Sequence, residues 1–301
     1  MKSLNAEATK AAQRHADHNY AEIAEIFAKL AVTAGAAIMR VYESDKNARL
    51  KPDHSPVCDA DVLAEAIILK GLAADLPEIP VVAEEECSKG AALPQSDAFI
   101  LVDPVDGTRE FLNHNGEFTV NIALVVEGEP RAGVIYAPAL EKLWMTGRGA
   151  FAVDVAPGAQ LPPPSARRAI HVRRPRASGL VAFASRSHSD AQTEAFLAEL
   201  PVKQRRSAGS SLKFCAVAEG KADVYPRFGP TMEWDTAAGD AILRAAGGKV
   251  LDPDGRPLRY GKSESKFKNG PFIAWGNTTS APATPAPKTS APSRLGSIKT
   301  A

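Results

Sequence analysis

Phe99-Ile100-Leu101-Val102-Asp103-Pro104-Val105-Asp106-Gly107-Thr108-Arg109-Glu110-Phe111 is the stretch on which the reading of this 301-residue chain turns. Its apolar run reads as a buried strand, and the pattern stops where two aspartates and Gly-Thr arrive. Carboxylates at the carboxyl end of a strand sit in the crevice where open α/β sheets bind ligands. Asp103, the Val105 carbonyl and Asp106 can turn hard oxygens toward one point, as Mg²⁺ requires. Gly107 and Thr108 add backbone N–H groups at a helix start, a setting that attracts phosphate. A strand followed by an Asp-Pro/Asp-Gly turn accounts for the same residues, and the stretch by itself leaves both readings open.

Upstream, Ile23, Phe27, Leu30, Ala34, Ile38 and Val41 recur at spacings of three and four, which predicts an amphipathic helix over 21–42. A polar, Pro-marked loop from Lys51 to Asp61 feeds a second helix reaching Leu76. Asp59 and Asp61 stand in its first turn, where they cap the helix or, for Asp61, serve a metal. Val81-Val82-Ala83 reads as a short strand ending in Glu84-Glu85-Glu86; a solvated loop and a metal ligand both fit that placement. Downstream, alternation from Phe118 to Val126, then strands at 132–136, 143–146 and 150–153, predict an antiparallel meander. Residues 154–167, with Pro162-Pro163-Pro164, mark the internal boundary.

Beyond that boundary strands and helices alternate. Strands are predicted at 180–184, 222–225, near Val250 and at 272–275. Helices are predicted up to Leu200, with a Ser189/Gln192 capping box, and at 211–219 and 233–246. The expected organisation is an extension at 1–20, an α+β metal-binding half at 21–160, an α/β substrate half at 161–277 and a disordered tail at 278–301.

Lys+Arg 36 against Asp+Glu 35 leaves a formal charge of +1, so no global field favours a nucleic-acid polymer. With 45% apolar residues the chain can bury a sizeable core. Cys58, Cys87 and Cys215 are odd in number, far apart and outside metal-ligand spacing, which argues against a disulfide framework or zinc and for a reducing cytoplasm. The start of the chain lacks the apolar segment of a signal peptide. Glu22, Glu25 and Lys29 exclude a transmembrane segment in the first helix.

Four acids stand at strand ends or helix starts: Glu84, Asp103, Asp106 and Asp235, the last within Trp234-Asp235-Thr236-Ala237-Ala238-Gly239. Carboxylates without His or Cys select Mg²⁺ or Mn²⁺ over zinc. Like charges ~4 Å apart repel by several kcal/mol at intermediate dielectric, a cost that a bound cation removes. Two or more metals can orient one water for in-line attack on phosphorus. Thr108 is the natural hydroxyl to hold that water, with Glu84 as its carboxylate partner; plain helix capping also accounts for Thr108.

In this order, Glu84-Glu85, Asp103-Pro-Val-Asp-Gly-Thr108 and Trp234-Asp235-Thr-Ala-Ala-Gly239 resemble the Mg²⁺-dependent, lithium-sensitive inositol-monophosphatase-like phosphatases. Lys51-Pro-Asp-His-Ser-Pro-Val57, Asn115-Gly-Glu-Phe-Thr-Val-Asn-Ile-Ala-Leu124, Ser185-Arg-Ser-His188, Gly209-Ser-Ser-Leu-Lys-Phe-Cys215 and Tyr225-Pro-Arg-Phe-Gly-Pro-Thr231 are similar to the 3′(2′),5′-bisphosphate nucleotidase, or CysQ-type, branch. The resemblance runs from residue 20 to 277 and implies a layered αβαβα sandwich. It further implies two or three Mg²⁺ ions, or Mn²⁺, on Glu84, Asp103, the Val105 carbonyl, Asp106 and Asp235. In such a site Asp61 acts with Thr108 behind the metals, while Gly107 and Thr108 hold the scissile phosphate.

The substrate this resemblance implies is adenosine 3′,5′-bisphosphate, a by-product of sulfate activation, hydrolysed to AMP and phosphate. A second phosphate needs donors away from the metals, and His188, Ser210, Ser211, Lys213 and Arg227 supply them. Tyr225 or Phe228 lies against the base or in the core. The expected partner is therefore a small nucleotide bisphosphate and the assembly a monomer or homodimer. The expected location is the cytoplasm, or the periphery of the inner membrane, as for some relatives. Cys58 stands where Thr is usual and Arg109 where Lys is common, departures that remove no metal oxygen. An inositol-phosphate or other sugar-phosphate monoesterase would share the metal site, and a non-catalytic nucleotide-binding sensor is a third reading.

Overall fold

The structure is a computed structural model that describes residues 20–44, 49–50, 56–57, 59–90, 96–185 and 190–277, at 49–50, 56–57 and 185 in backbone only. Residues 1–19, most of the polar loop before Asp59, His188 with its neighbours, and the tail expected at 278–301 lie outside the described residues. In chain order the elements are α1 (Tyr20–Glu43), β1 (Arg49–Leu50), β2 (Pro56–Val57), α2 (Asp59–Asp75), β3 (Val81–Ala83), α3 (Glu84–Ser88), β4 (Ala98–Asp106) and α4 (Thr108–Leu112). Then follow β5 (Thr119–Val126), β6 (Glu129–Ala137), β7 (Lys142–Thr146), β8 (Ala150–Asp154) and β9 (Arg168–Ile170). The remainder is β10 (Leu180–Ser185), α5 (Ala191–Ala198), β11 (Val202–Ala208), α6 (Leu212–Ala218), β12 (Val224–Arg227), β13 (Thr231–Met232), α7 (Glu233–Ala245), β14 (Lys249–Leu251), β15 (Lys268–Asn269) and β16 (Phe272–Trp275).

The expected meander is present: β3 to β9 follow one another in a seven-stranded sheet, with β3 parallel to β4 and all later pairs antiparallel. Its last strand, β9, lies past residue 160, where the sequence suggested a boundary. The second sheet has the order β11-β10-β12-β16-β14, parallel on the β10 side and antiparallel around β16.

Successive residues of the central strands serve different layers, because side chains alternate across a strand. Val102, Ile122 and Val134 face α1 and α2, whose Phe27, Ile38, Ile68 and Leu72 cover that side. Leu101, Val125 and Ile135 face the other way, toward Phe214, Trp234, Ala238 and Ile242 of α6 and α7, which also pack on Val181, Phe183 and Phe272 of the second sheet. On the outside, Phe196 and Leu197 of α5 cover Leu180, Ala182 and Ile273. The layers are therefore α, β, α, β, α, and each sheet is buried on both faces over its central strands.

Two glycines permit this spacing. A Cβ at Gly133 of β6 would stand 2.9 Å from Ala238 O, so its absence lets α7 lie directly on the sheet. At Gly239 a Cβ would come within 2.4 Å of the Phe214 ring, so α6 and α7 also touch through a missing side chain. Asp190, not Ser189, caps α5, its carboxylate accepting Thr193 N–H at 2.7 Å and the Thr193 hydroxyl at 2.6 Å. Among the described residues no helix is long and apolar enough to cross a membrane.

Candidate active site

The end of β4 is irregular, and the irregularity builds the site. Asp103 pairs with Asn121 and Asp106 with Thr119, so three steps along β4 oppose two along β5. Such an extra residue is a β-bulge. In a regular strand, residues three apart face opposite sides; the bulge returns both aspartates to one face. Within it Val105 N donates to Asp103 Oδ1 at 3.0 Å. Gly107 then turns the chain with φ of 91°, and Thr108 opens α4, its hydroxyl donating to Val105 O at 3.4 Å.

Three further acids converge on this strand end. Ala83 pairs with Val102 in the parallel β3–β4 ladder, so Glu84 emerges beside Asp103. The three glutamates, for which a solvated loop and a metal ligand both fitted, form the first turn of α3. Glu65, buried on α2, catches Glu85 N at 2.8 Å and so anchors that turn. Asp61 is buried in the first turn of α2. Asp235 stands at the head of α7, its Oδ2 accepting Met232 N at 2.8 Å.

Burial first, then the charges of Glu84, Asp106, Asp235 and Asp61, hold the Asp103 carboxyl well above the usual carboxylate range. Asp235 is raised likewise, by burial and by Asp106 and Glu84, against its bond from Met232 N. Among the described residues no three Asp, Glu, His or Cys side chains are already drawn around one point as an ion's ligands would be. The donor set is nevertheless that of a hard divalent cation: oxygens only, partly desolvated and mutually repelling, so that positive charge is what the site lacks. Glu84, Asp103, the Val105 carbonyl, Asp106 and Asp235 fit Mg²⁺ by this chemistry.

A cavity of about 290 Å³ opens on these acids. It is lined by Glu84, Asp106, Gly107, Thr108 and Asp235, the first wall, and by Ser210, Ser211, Lys213, Tyr225 and Arg227, the second, and the two meet where Gly107 adjoins Ser210. Asp103, 2% exposed, and Asp61 stand behind the first wall. The second wall is the turn between β11 and α6. Ser210 adopts a left-handed φ of 51° there, and Gly209 N donates to Glu117 Oε2 at 2.8 Å. Lys213, 4% exposed, gives its ammonium to Ser210 O at 2.6 Å and Ala208 O at 3.1 Å, over the Tyr225 ring. Arg227 is braced by its own turn, donating from Nη2 to Pro230 O at 3.2 Å.

The structure thus brings together every expected site residue except His188, which lies outside the described residues. Of the two aromatics considered for the base, Tyr225 lines the cavity but its ring packs edge-on against Phe214 and Phe272. Phe228 packs instead against Phe196 in the outer layer. Two residues escaped the sequence reading: Thr119 and Asn121, alternate positions of β5, whose side chains reach the Ser210–Ser211 turn. Their signal was polarity on a strand buried on both faces, within the branch-like stretch Asn115–Leu124.

Comparison with known proteins agrees with this geometry. The inositol monophosphatase family profile matches residues 19–281. A 3′(2′),5′-bisphosphate nucleotidase CysQ of Shigella flexneri is 45% identical over 80% of this chain and 95% of its own. Its counterpart in Buchnera aphidicola is 43% identical over 82% of this chain and 91% of its own. The crystal structure of CysQ from Bacteroides thetaiotaomicron superposes with a TM-score of 0.72 at 39% identity, covering 85% of this chain and 97% of the other. An inositol monophosphatase from Anabaena gives 0.65 at 27% identity, covering 84% and 90%. With the αβαβα layers, the acid-lined strand end and these likenesses all coinciding, the chain belongs to the inositol monophosphatase family.

Proposed function

We propose that this protein is a phosphoric monoester hydrolase that releases phosphate from adenosine 3′,5′-bisphosphate, leaving AMP, in the recycling of that by-product of sulfur assimilation. The observation that carries the reading is a single cavity lined both by the carboxylates of Glu84, Asp106 and Asp235, with Asp103 and Asp61 behind them, and by the cations Lys213 and Arg227. That polarity suits a ligand with a reacting phosphate at one end and a second anionic group at the other. The CysQ relatives, named as bisphosphate nucleotidases, support it.

Bound Mg²⁺, as two or three ions and replaceable by Mn²⁺, supplies Lewis-acid neutralisation of charge on the phosphate and a lowered pKa for the attacking water. The chain's own residues do the rest. Gly107 and Thr108 N–H groups hold the scissile phosphate at the start of α4. Thr108 and Glu84, with Asp61 behind them, orient the water and take its proton as its oxygen attacks phosphorus in line; the P–O3′ bond breaks, and the 3′ oxygen leaves as a hydroxyl after taking a proton from a second, solvent water. Ser210, Arg227 and the main-chain N–H of Ser211 serve the second phosphate, with Lys213 bracing their turn; His188, expected as a further donor, lies outside the described residues. Lithium inhibits by competing for the acid cluster. A cytoplasmic setting suits the free thiols of Cys87 and Cys215.

The test is phosphate release from a panel of adenosine 3′,5′-bisphosphate, inositol 1-phosphate and fructose 1,6-bisphosphate with Mg²⁺. Preference for the nucleotide is expected. Preference for inositol 1-phosphate would replace this reading by a sugar-phosphate monoesterase, and tight nucleotide binding without turnover by a sensor.

A further inference from the structure

One side chain joins the two walls of the cavity. Asn121, 1% exposed, donates from Nδ2 to Asp106 Oδ2 at 3.3 Å and to Ser211 Oγ at 3.0 Å. Its Oδ1 accepts the Thr119 hydroxyl at 2.9 Å, and that hydroxyl lies 2.6 Å from Ser210 Oγ. Ser211 in turn gives its proton to the main-chain oxygen of Asp235 at 2.7 Å. An unbroken chain of hydrogen bonds therefore runs from the Asp106 carboxylate, on the first sheet, to the backbone of Asp235 at the head of α7.

A primary amide is the group this junction requires. It offers two N–H donors and an acceptor in one plane, whereas aspartate has no donor and serine or threonine only one. Because Ser211 spends its proton on Asp235, it can only accept from Asn121, so the direction of the chain is fixed. The amide also occupies Oδ2 of Asp106 and so selects which carboxylate oxygen remains available.

We propose that Asn121 is the positioning residue that sets Asp106 relative to Asp235, and through them tunes cation affinity; this rests on the metal-dependent reading above. The energetic premise is that like charges gathered at one strand end stay at a useful separation only if something rigid holds them, and buried, fully satisfied polar networks are rigid.

The test is a Mn²⁺ binding titration by electron paramagnetic resonance on the full chain, with N121A, S211A and the double variant. Each single variant should raise the Mn²⁺ dissociation constant about ten-fold, near 1.4 kcal/mol. The double variant should be no weaker than the worse single one, because both cuts break the same chain. Excess Mg²⁺ should restore kcat in N121A, which a loss of packing would not allow. Unchanged Mn²⁺ affinity in folded N121A, or additive losses in the double variant, would overturn the proposal. If N121A fails to fold, S211A carries the test, since it leaves the buried amide in place. Wild-type protein that binds Mn²⁺ yet releases no phosphate from adenosine 3′,5′-bisphosphate would remove the substrate reading and not this one.

Discussion

The Lys213 ammonium donates to the Ser210 carbonyl oxygen at 2.6 Å, tying a buried cation to a residue in left-handed conformation. Burial pulls the lysine pKa down to about 8, with Asp106 opposing and Arg227 adding to the shift. A hydrogen bond from a charged donor contributes roughly 1.5–3 kcal/mol. K213M should therefore lower kcat/KM for adenosine 3′,5′-bisphosphate by about ten- to hundred-fold. It should also slow 3′-AMP, which lacks the second phosphate, because the turn itself loosens. Steady-state kinetics on both substrates decide the matter: an undiminished rate with 3′-AMP would reduce Lys213 to a phosphate contact.

Burial and the neighbouring acids make an ionised Asp103 costly in the metal-free protein. D103N should abolish turnover and, in EDTA, raise the melting temperature, since it removes repulsion while an amide oxygen can still accept Val105 N. Mg²⁺ should then stabilise wild type more than the variant. Calorimetry with and without metal is the check, and a lower metal-free Tm in D103N would count against the assigned electrostatics.

Glu65 gives a pH signature separate from turnover. Burial pushes its carboxyl from the ordinary 4.5 up to about 7, although the bond from Glu85 N works the other way. Between those values the folded state keeps a proton that the unfolded chain has released, so stability falls as pH rises through the window. The loss amounts to ~3 kcal/mol. In E65Q the slope should be shallower by that amount. Urea unfolding of both proteins in EDTA at about pH 5 and pH 7.5 measures the difference.

Packing between α6 and α7 is testable at Gly239, where a Cβ would collide with the Phe214 ring. G239A should cost about 1–3 kcal/mol by overpacking. G270A is the control, because no atom lies within 4 Å of the added carbon, and denaturant midpoints should separate the two.

The acids were legible in the sequence because each sits where an apolar pattern ends, and the meander because residues 118–126 alternate with period 2 and short turns join the strands after them. Asn121 was not, since its partner Ser211 lies 90 residues downstream and strand periodicity says nothing of what crosses the gap. Lys213 was legible as a cation near the ligand but not as a brace, because the turn conformation it holds at Ser210 has no glycine to announce it. Glu84 to Glu86 looked like solvated charge; the helix they start depends on Glu65, 20 residues before Glu85. Local chemistry was readable, and contacts between distant segments were not.

The bulge between Asp103 and Asp106 also constrains how this protein can change over time. Loss of one residue there would restore a regular ladder: Asp106, then two steps from Asp103, would keep its face, but the bend that aims the Val105 carbonyl at the acids would be gone. One ligand oxygen would be lost in a single step. Substitutions elsewhere in the strand can accumulate gradually, but its length is inherited whole, so insertions and deletions between Asp103 and Thr108 should be absent among active descendants of this chain.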